Sequence, residues 1–124
     1  MDSINNISKN TNAGDDFYLL LGDFLDEFYR TQAGIQVKMI SESPEDMEKQ
    51  EYVPFLASTA HKLANDFGLE PPLWVFEERC YLPGKNPHFA CNVKGKLRLF
   101  FMYKSPTEFK HRNLFVDENV LVRV

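Results

Sequence analysis

The chain has 124 residues, of which 44% are hydrophobic and 26% charged, with 11 Phe, 5 Tyr, 1 Trp and a formal net charge of −4. This is the size of one domain, and so much aromatic bulk excludes a disordered chain. No apolar run approaches the roughly 20 residues of a membrane span and the N-terminus lacks a secretion signal, so we expect a cytoplasmic protein.

Residues 1 to 14 are rich in Asn and Ser and show no periodicity. We therefore predict a disordered tail there and a single globular domain over residues 15 to 124. The domain begins with an amphipathic helix, because apolar residues recur at helical spacing behind an acidic start. Its apolar stripe contains Phe17, Leu21, Phe24, Leu25 and Phe28. Its outer face is acidic and is either a contact surface for a basic partner or an ordinary solvated face; it carries Asp23, Asp26 and Glu27.

The next segment is ambiguous. Gly34 is suited to end a helix, whereas the alternation of Ile35, Val37 and Met39 fits a short strand. Local rules therefore leave both helix and strand open for residues 35 to 41.

Two helix signals follow. Ser43 followed by a proline has the form of a helix start, with the proline at the first helical position. A second apolar stripe runs from Tyr52 to Phe67 and predicts a helix that ends at Gly68. Pro54 lies either in the first turn of this helix or at a junction between two helices.

The Pro and Gly content of residues 70 to 95 indicates irregular chain. We expect Trp74, Phe76, Tyr81 and Phe89 to pack this central loop against the core. The sequence contains no P-loop, no dinucleotide-binding glycine motif, no HExxH, no GxSxG and no CxxC pair. We therefore do not expect an enzyme.

The two cysteines, Cys80 and Cys91, are too few for a disulfide framework, so we expect free thiols. Together with His88 they lack the fourth ligand and the close spacing of a zinc site, so we expect no metal and no cofactor. Nothing marks either thiol as an activated nucleophile. His61 lies near the apolar face of the second stripe, where half-buried packing is the expected role rather than catalysis.

The stretch from Ser105 to Glu108 matches a capping box, which predicts a helix that begins at Pro106. On this short helix Phe109 is expected to face the core. The residues that follow it are expected to point mainly outward.

The C-terminal quarter is basic. Residues 1 to 93 carry 15 acidic and 7 basic side chains, a net of −8, whereas residues 94 to 124 carry 3 acidic and 7 basic, a net of +4. Lys110, His111 and Arg112 either keep a helix junction exposed to solvent or form a binding face. This face could also include Lys94, Lys96, Arg98 and Lys104. Such a cluster can bind phosphates, so an accessory nucleic-acid-binding protein is the alternative function, although an isoelectric point near 5.3 opposes it.

These residues also resemble a known family. The C-terminal pattern SPxxFxxRNxFV is formed by Ser105, Pro106, Phe109, Arg112, Asn113, Phe115 and Val116. It is preceded by "PPLWV" at residues 71 to 75 and "DFLDEFYR" at residues 23 to 30. In this combination the chain is similar, from residue 23 onward, to a family of small bacterial proteins of uncharacterised activity. Some of its members look like they carry a helix-turn-helix and lie beside genes for nucleotidyltransferase-like toxins.

The resemblance implies an antitoxin-like role in a toxin–antitoxin system, with a nucleotidyltransferase-like toxin as the protein partner. Residues 1 to 22 are too short for a helix-turn-helix and a linker, so we expect any DNA-binding half to be supplied by another chain. The resemblance also implies that "KGKLRLFFMYK", residues 94 to 104, is helical, whereas its alternation alone permits a strand.

The predicted fold is mainly α, a bundle of four to six helices with a Pro/Gly-rich central loop. The alternative is an α+β fold with a short sheet around residues 35–41 and 89–103. The predicted function is a non-enzymatic protein that sequesters a protein partner, without membrane contact. The predicted contact surface is either the acidic face of Asp23, Asp26 and Glu27 or the basic face of Lys110, His111, Arg112 and Asn113.

Overall fold

The computed structural model describes residues 2–84, 86–90 and 94–123 and is mainly helical, as predicted. Its helices are α1 (Ile4–Asn12), α2 (Phe17–Tyr29), α3 (Ala33–Ser41), α4 (Tyr52–Phe67), α5 (Lys96–Lys104) and α6 (Thr107–Lys110). Two short 3-10 segments span Leu73–Phe76 and Glu78–Cys80, and two strands, β1 (His88–Phe89) and β2 (Leu114–Phe115), form one pair. None of the described helices combines the length and apolar character needed to cross a membrane.

The prediction of a disordered tail at residues 1 to 14 is wrong, because helix α1 occupies most of this segment. Ser3 caps the helix by accepting a hydrogen bond from the amide of Asn6 (3.1 Å). Ile4 and Ile7 lie one turn apart and are both buried in the core. Two apolar residues at helical spacing thus place one side of an otherwise polar helix in the core.

Helix α1 also explains why the helix predicted to start at Ser43 does not form. The side-chain amide of Asn5 donates to the carbonyl of Ser43 (2.8 Å), and the hydroxyl of Ser8 accepts from the amide of Glu45 (2.8 Å). Both α1 residues are buried, so these bonds satisfy polar groups that would otherwise be costly. They hold residues 42 to 51 as irregular chain, and α4 begins only after it.

Helices α2 and α4 carry the centre of the core. The predicted α2 stripe is confirmed, since Phe17, Leu21, Phe24, Leu25 and Phe28 are all buried. Helix α4 has Pro54 in its first turn and ends at Gly68, which adopts the left-handed conformation (φ 68°) that glycine tolerates best. Both features of α4 are as predicted.

Helix α3 decides the ambiguous segment in favour of a helix. Gln36, Met39 and Ile40 are buried at helical spacing, while Ile35 and Val37 remain exposed. The buried amide of Gln36 donates to the carbonyl of Phe28 (2.9 Å) near the end of α2. The same carbonyl also accepts from the backbone amide of Thr31 (3.2 Å), so both of its acceptor positions are used at the end of α2.

The α+β alternative is wrong for nearly all of the described residues, because residues 35–41 and 96–104 are helical; among the described residues of the predicted sheet, Phe89 lies in a strand. Residues 91 to 93 of the proposed sheet lie outside the described ranges. The strands that do form are parallel, with His88 opposite Leu114 and Phe89 opposite Phe115. They fasten the central loop to the C-terminal segment.

The central loop is only partly packed as predicted. Trp74 is buried and donates from its indole nitrogen to the carbonyl of Ile40 (2.9 Å), and Phe89 is half-buried against Phe115. Phe76 and Tyr81 are exposed instead.

The predicted capping box at the start of α6 does not form. Pro106 occupies the N-cap position without a side-chain bond, and Ser105 is used elsewhere. Its buried hydroxyl donates to the carbonyl of Phe101 (2.6 Å) and accepts from the amide of Val116 (2.8 Å), so it joins the end of α5 to the C-terminal segment. Phe109 is fully buried, as predicted.

Candidate functional site

The acidic face predicted on α2 is largely engaged within the molecule. Arg123 donates from Nε to Asp26 Oδ1 (2.9 Å) and from Nη2 to Oδ2 (3.1 Å), and this bond lowers the pKa of Asp26. Glu27 accepts from the backbone amide of Asp2 (3.0 Å). Asp23 is exposed. Two of the three carboxylates therefore hold the two ends of the described chain against α2.

The predicted basic face is interrupted at Arg112, which is only 1% exposed, so the prediction that it points outward is wrong. Its Nη1 donates to the carbonyl of Glu108 (2.9 Å) and its Nη2 to the carbonyl of Val75 (2.9 Å). Nη2 also lies 3.2 Å from Nδ1 of His61, and the guanidinium carbon lies 4.9 Å from the centre of the Tyr81 ring. Arg112 therefore joins α6 to α4 and to the first 3-10 segment.

The buried guanidinium has no ion-pair partner among the carboxylates of the described residues. Its Nε lacks a hydrogen-bond partner within the same part of the chain, and burial lowers the pKa of Arg112. Two backbone carbonyls, one imidazole nitrogen and one aromatic face take the place of a counter-ion. This arrangement cross-links the core and leaves Arg112 unable to reach a partner.

His61 is half-buried, as predicted, and its contact with Arg112 determines which nitrogen of the neutral ring carries the proton. A guanidinium has only donors, so Nδ1 of His61 accepts, and the neutral imidazole carries its proton on Nε2. Burial lowers the pKa of His61 below its ordinary value, and the positive charge of Arg112 lowers it further.

We expect this histidine to make stability depend on pH. Because its folded-state pKa lies below the ordinary value of 6.5, its contribution is fully present above pH 6.5 and is lost as pH falls through the folded-state pKa. Urea unfolding at a series of pH values between about 7.5 and 5.5 should show a declining free energy of unfolding. In His61→Gln, which keeps an acceptor, the decline should flatten; equal slopes in the two proteins would contradict this.

The remaining residues of the predicted basic face have different roles. Asn113 takes a left-handed conformation (φ 60°), which Asn tolerates better than most residues, and its amide donates to the carbonyls of Pro83 (2.5 Å) and Asn86 (2.7 Å). Lys110 donates to the carbonyl of Tyr103, and His111 is exposed. Asn113 therefore shapes the loop, and of the four residues only His111 is fully exposed, since Lys110 and Asn113 are half-buried.

Cys80 is fully buried, and its thiol donates to the carbonyl of Trp74 (3.3 Å). Burial raises the pKa of Cys80 to about 11, so almost no thiolate forms near neutral pH. Cys91 lies outside the described residues. Cys80 is thus a core side chain and not a nucleophile.

This predicts that Cys80 resists thiol reagents in the folded protein. In a Cys91→Ser background, modification by a disulfide-exchange reagent at about pH 8 should be at least a hundredfold slower in buffer than in unfolding urea. Equal rates in the two conditions would show that the thiol is accessible.

Helix α5 is the feature that the sequence reasoning missed as a site. Phe101 is its one buried residue, at 8% exposed. At 3.6 residues per turn, Leu99 and Tyr103 lie one turn apart on the opposite side of the helix, and they are 68% and 75% exposed. The helix therefore turns large apolar side chains toward solvent.

We call this region the α5 surface. It comprises the exposed apolar residues Leu97, Leu99, Phe100, Met102 and Tyr103 and the exposed cations Lys96, Arg98 and Lys104.

Several cations near the α5 surface rest on aromatic rings. The guanidinium of Arg98 lies 4.7 Å from the centre of the Phe89 ring. The ammonium groups of Lys104 and Lys110 lie 5.5 Å and 5.6 Å from the centre of the Tyr103 ring. Such contacts restrain long, flexible side chains. Exposed apolar groups and partly fixed positive charges therefore share one surface.

A signal for this surface does exist in the sequence. Residues 79 to 107 contain six Lys and Arg and no Asp or Glu, and the apolar run of α5 lies within this stretch. The prediction of a basic face rested on the Lys and Arg residues of this stretch, although the apolar residues between them belong to the same surface.

An apolar cavity of about 320 Å³ lies between α2, α4 and the C-terminal segment. Its wall includes Tyr18, Phe55, Val116 and Val120, and no residue of α5 is among the residues that line it.

Within residues 2–84, 86–90 and 94–123, no three His, Cys, Asp or Glu side chains gather in a way that could hold a metal ion. No family model, no curated protein and no solved structure matches the chain. The function is therefore inferred from the geometry of the α5 surface.

Proposed function

We propose that this chain is a non-enzymatic protein that binds and sequesters a second protein, and that the α5 surface is the contact. The observation that carries the proposal is the exposure of Leu99 and Tyr103 on a helix that buries only Phe101. A helix that is apolar on most of its sides is usually covered by protein. Burial of one large apolar side chain contributes about 1.5–3 kcal/mol, so covering several of them supplies a substantial driving force.

The same side chains favour a protein over the alternative partner, a nucleic acid. Most contacts to a nucleic acid go to phosphate and sugar, which offer little surface for Leu97, Leu99 or Met102. Burial of Arg112 also removes one cation from the predicted phosphate-binding face.

The resemblance to toxin-associated proteins suggests the class of the partner, and on this basis we propose a nucleotidyltransferase-like toxin. In that case the protein would act as an antitoxin by covering its toxin. The acidic face of α2 and residues 111 to 113 of the basic face do not enter this proposal, because most of these residues are engaged in the fold.

The test is co-purification of the tagged full-length chain from the cells that encode it, followed by mass spectrometry and an absorbance ratio for nucleic acid. We expect one protein in a stoichiometric amount with the unaltered chain. Leu99→Ser/Tyr103→Ser should reduce its yield at least tenfold, because the two outermost apolar contacts are lost.

Leu73→Ser is the matched control, since Leu73 is even more exposed, at 87%, but lies on a 3-10 segment away from α5. It should leave the yield unchanged. Circular dichroism should show that both variants remain folded. Retention of the partner by the double variant, or co-purification of nucleic acid without protein, would contradict the proposal.

A further inference from the structure

We infer that the partner presents an apolar groove bordered by Asp and Glu carboxylates, which receives the α5 surface. This inference rests on the proposed function and adds the chemistry of the partner. It follows from where the charges of α5 lie relative to its apolar side chains.

The sequence on both sides of α5 lacks acidic residues. Residues 79 to 107 contain no Asp or Glu. The exposed cations of this stretch include Lys94, Lys96, Arg98 and Lys104. The positive charge is therefore not neutralised by acidic neighbours along the chain. A partner that covers the helix must accommodate it, and nearby carboxylates do so at the lowest cost.

The cations of the α5 surface lie close to aromatic rings. The ammonium groups of Lys104 and Lys110 both lie near the ring of Tyr103, and Arg98 rests on Phe89. A group that covers Tyr103 therefore approaches two ammonium groups at once. Because these side chains are already restrained, ion pairs with a partner would cost less side-chain entropy than pairs with free lysines.

Two other partners, a second copy of the chain and a lipid surface, fit α5 less well. A second copy of the chain, docked symmetrically through α5, would bring the cations of the two helices together, which opposes association. A lipid surface suits a helix whose apolar and charged residues lie on separate faces. On α5, however, Lys96 lies between Leu99 and Phe100 around the helix, so the charges are interspersed with the apolar residues. This distribution fits a groove that surrounds the helix.

The experiment places a photo-crosslinking benzophenone amino acid at position 99 or, as a control, at position 73 of the full-length chain. The protein crosslinked only from position 99 is identified, produced separately and titrated against the purified chain. Affinity is measured at low salt and at about 0.5 M NaCl, where exposed charge interactions are largely screened.

We expect Lys96→Glu/Lys104→Glu to weaken binding at least tenfold at low salt, with a much smaller difference at high salt. Lys9→Glu/Lys38→Glu, which makes the same change of charge on α1 and α3, should have little effect. Crosslinked peptides of the partner should contain Asp and Glu beside apolar residues.

The outcomes separate the inference from the proposed function. A partner that needs Leu99 and Tyr103 but tolerates the charge reversal at every salt concentration would overturn the acidic groove and leave the proposed function intact. No protein crosslinked from position 99 would overturn both. Binding instead to an oligothymidine, to phosphatidylserine vesicles or to a second copy in sedimentation equilibrium, with no protein partner, would likewise overturn both.

Discussion

Phe109→Ala is expected to lower the free energy of unfolding by about 4 kcal/mol, because it removes a fully buried aromatic ring and leaves a cavity. The ring packs edge-on against Phe55 of α4, with centroids 5.3 Å apart. Helix α6 is one turn long and has no side-chain cap, so it is not stable on its own and depends on this contact. Urea unfolding followed by the fluorescence of the single Trp74 measures the change.

Phe109→Leu is the control for this prediction, because it keeps most of the apolar volume and should cost less than about 1.5 kcal/mol. A loss below about 1 kcal/mol for the alanine variant would mean that α6 does not anchor the C-terminal segment to α4.

The second large effect is expected at Arg112. Arg112→Ala should lower the free energy of unfolding by about 3 kcal/mol, because it leaves a cavity and removes the donor to the buried carbonyl of Val75. Arg112→Met fills most of the volume and also removes the desolvated charge, so its loss should be smaller, at about 1 kcal/mol. Thermal or urea unfolding of the two variants gives the order.

Arg112 also distinguishes the site inferred from the structure from the one predicted from the sequence. If α5 is the contact, folded Arg112→Met should retain the partner in the co-purification experiment. If Arg112 itself contacted the partner, as the sequence predicted, this variant would lose the partner while remaining folded.

The helices α2 and α4 could be predicted because each has an unbroken apolar stripe and clear end signals, such as Gly68. Helix α1 was missed for a physical reason. Its polar residues Asn5 and Ser8 are buried, and their partners lie more than thirty positions away in sequence. Local composition carries no information about such bonds.

The C-terminal motif shows the same limit. Ser105 has the local form of a helix cap, but its hydroxyl bonds to Val116, which lies eleven positions away. Arg112 follows two polar residues and was predicted to be exposed, although its acceptors on Val75 and His61 can only be known from the fold. The motif that supports the resemblance therefore consists largely of residues that close the core.

The candidate site on α5 was missed for a different reason. The resemblance implied a helix at residues 94 to 104, but no pattern in the sequence indicated which side of this helix would be buried. Only the structure shows that Phe101 is the one buried residue of α5 and that Leu99 and Tyr103 remain exposed.

The contacts that join α2 to the C-terminal segment also bear on how the chain is made. Tyr29 donates to the carbonyl of Leu121 (2.7 Å) across 92 positions, and Arg123 reaches Asp26 across 97. Synthesis proceeds from the N-terminus, so α2 and α4 leave the ribosome well before the residues that cover them. A nascent chain that stops short of Phe109 leaves Phe55 of α4 without one of its core neighbours, and apolar surface exposed in this way is open to aggregation and to chaperones. Translation must therefore pass this point before the core can close.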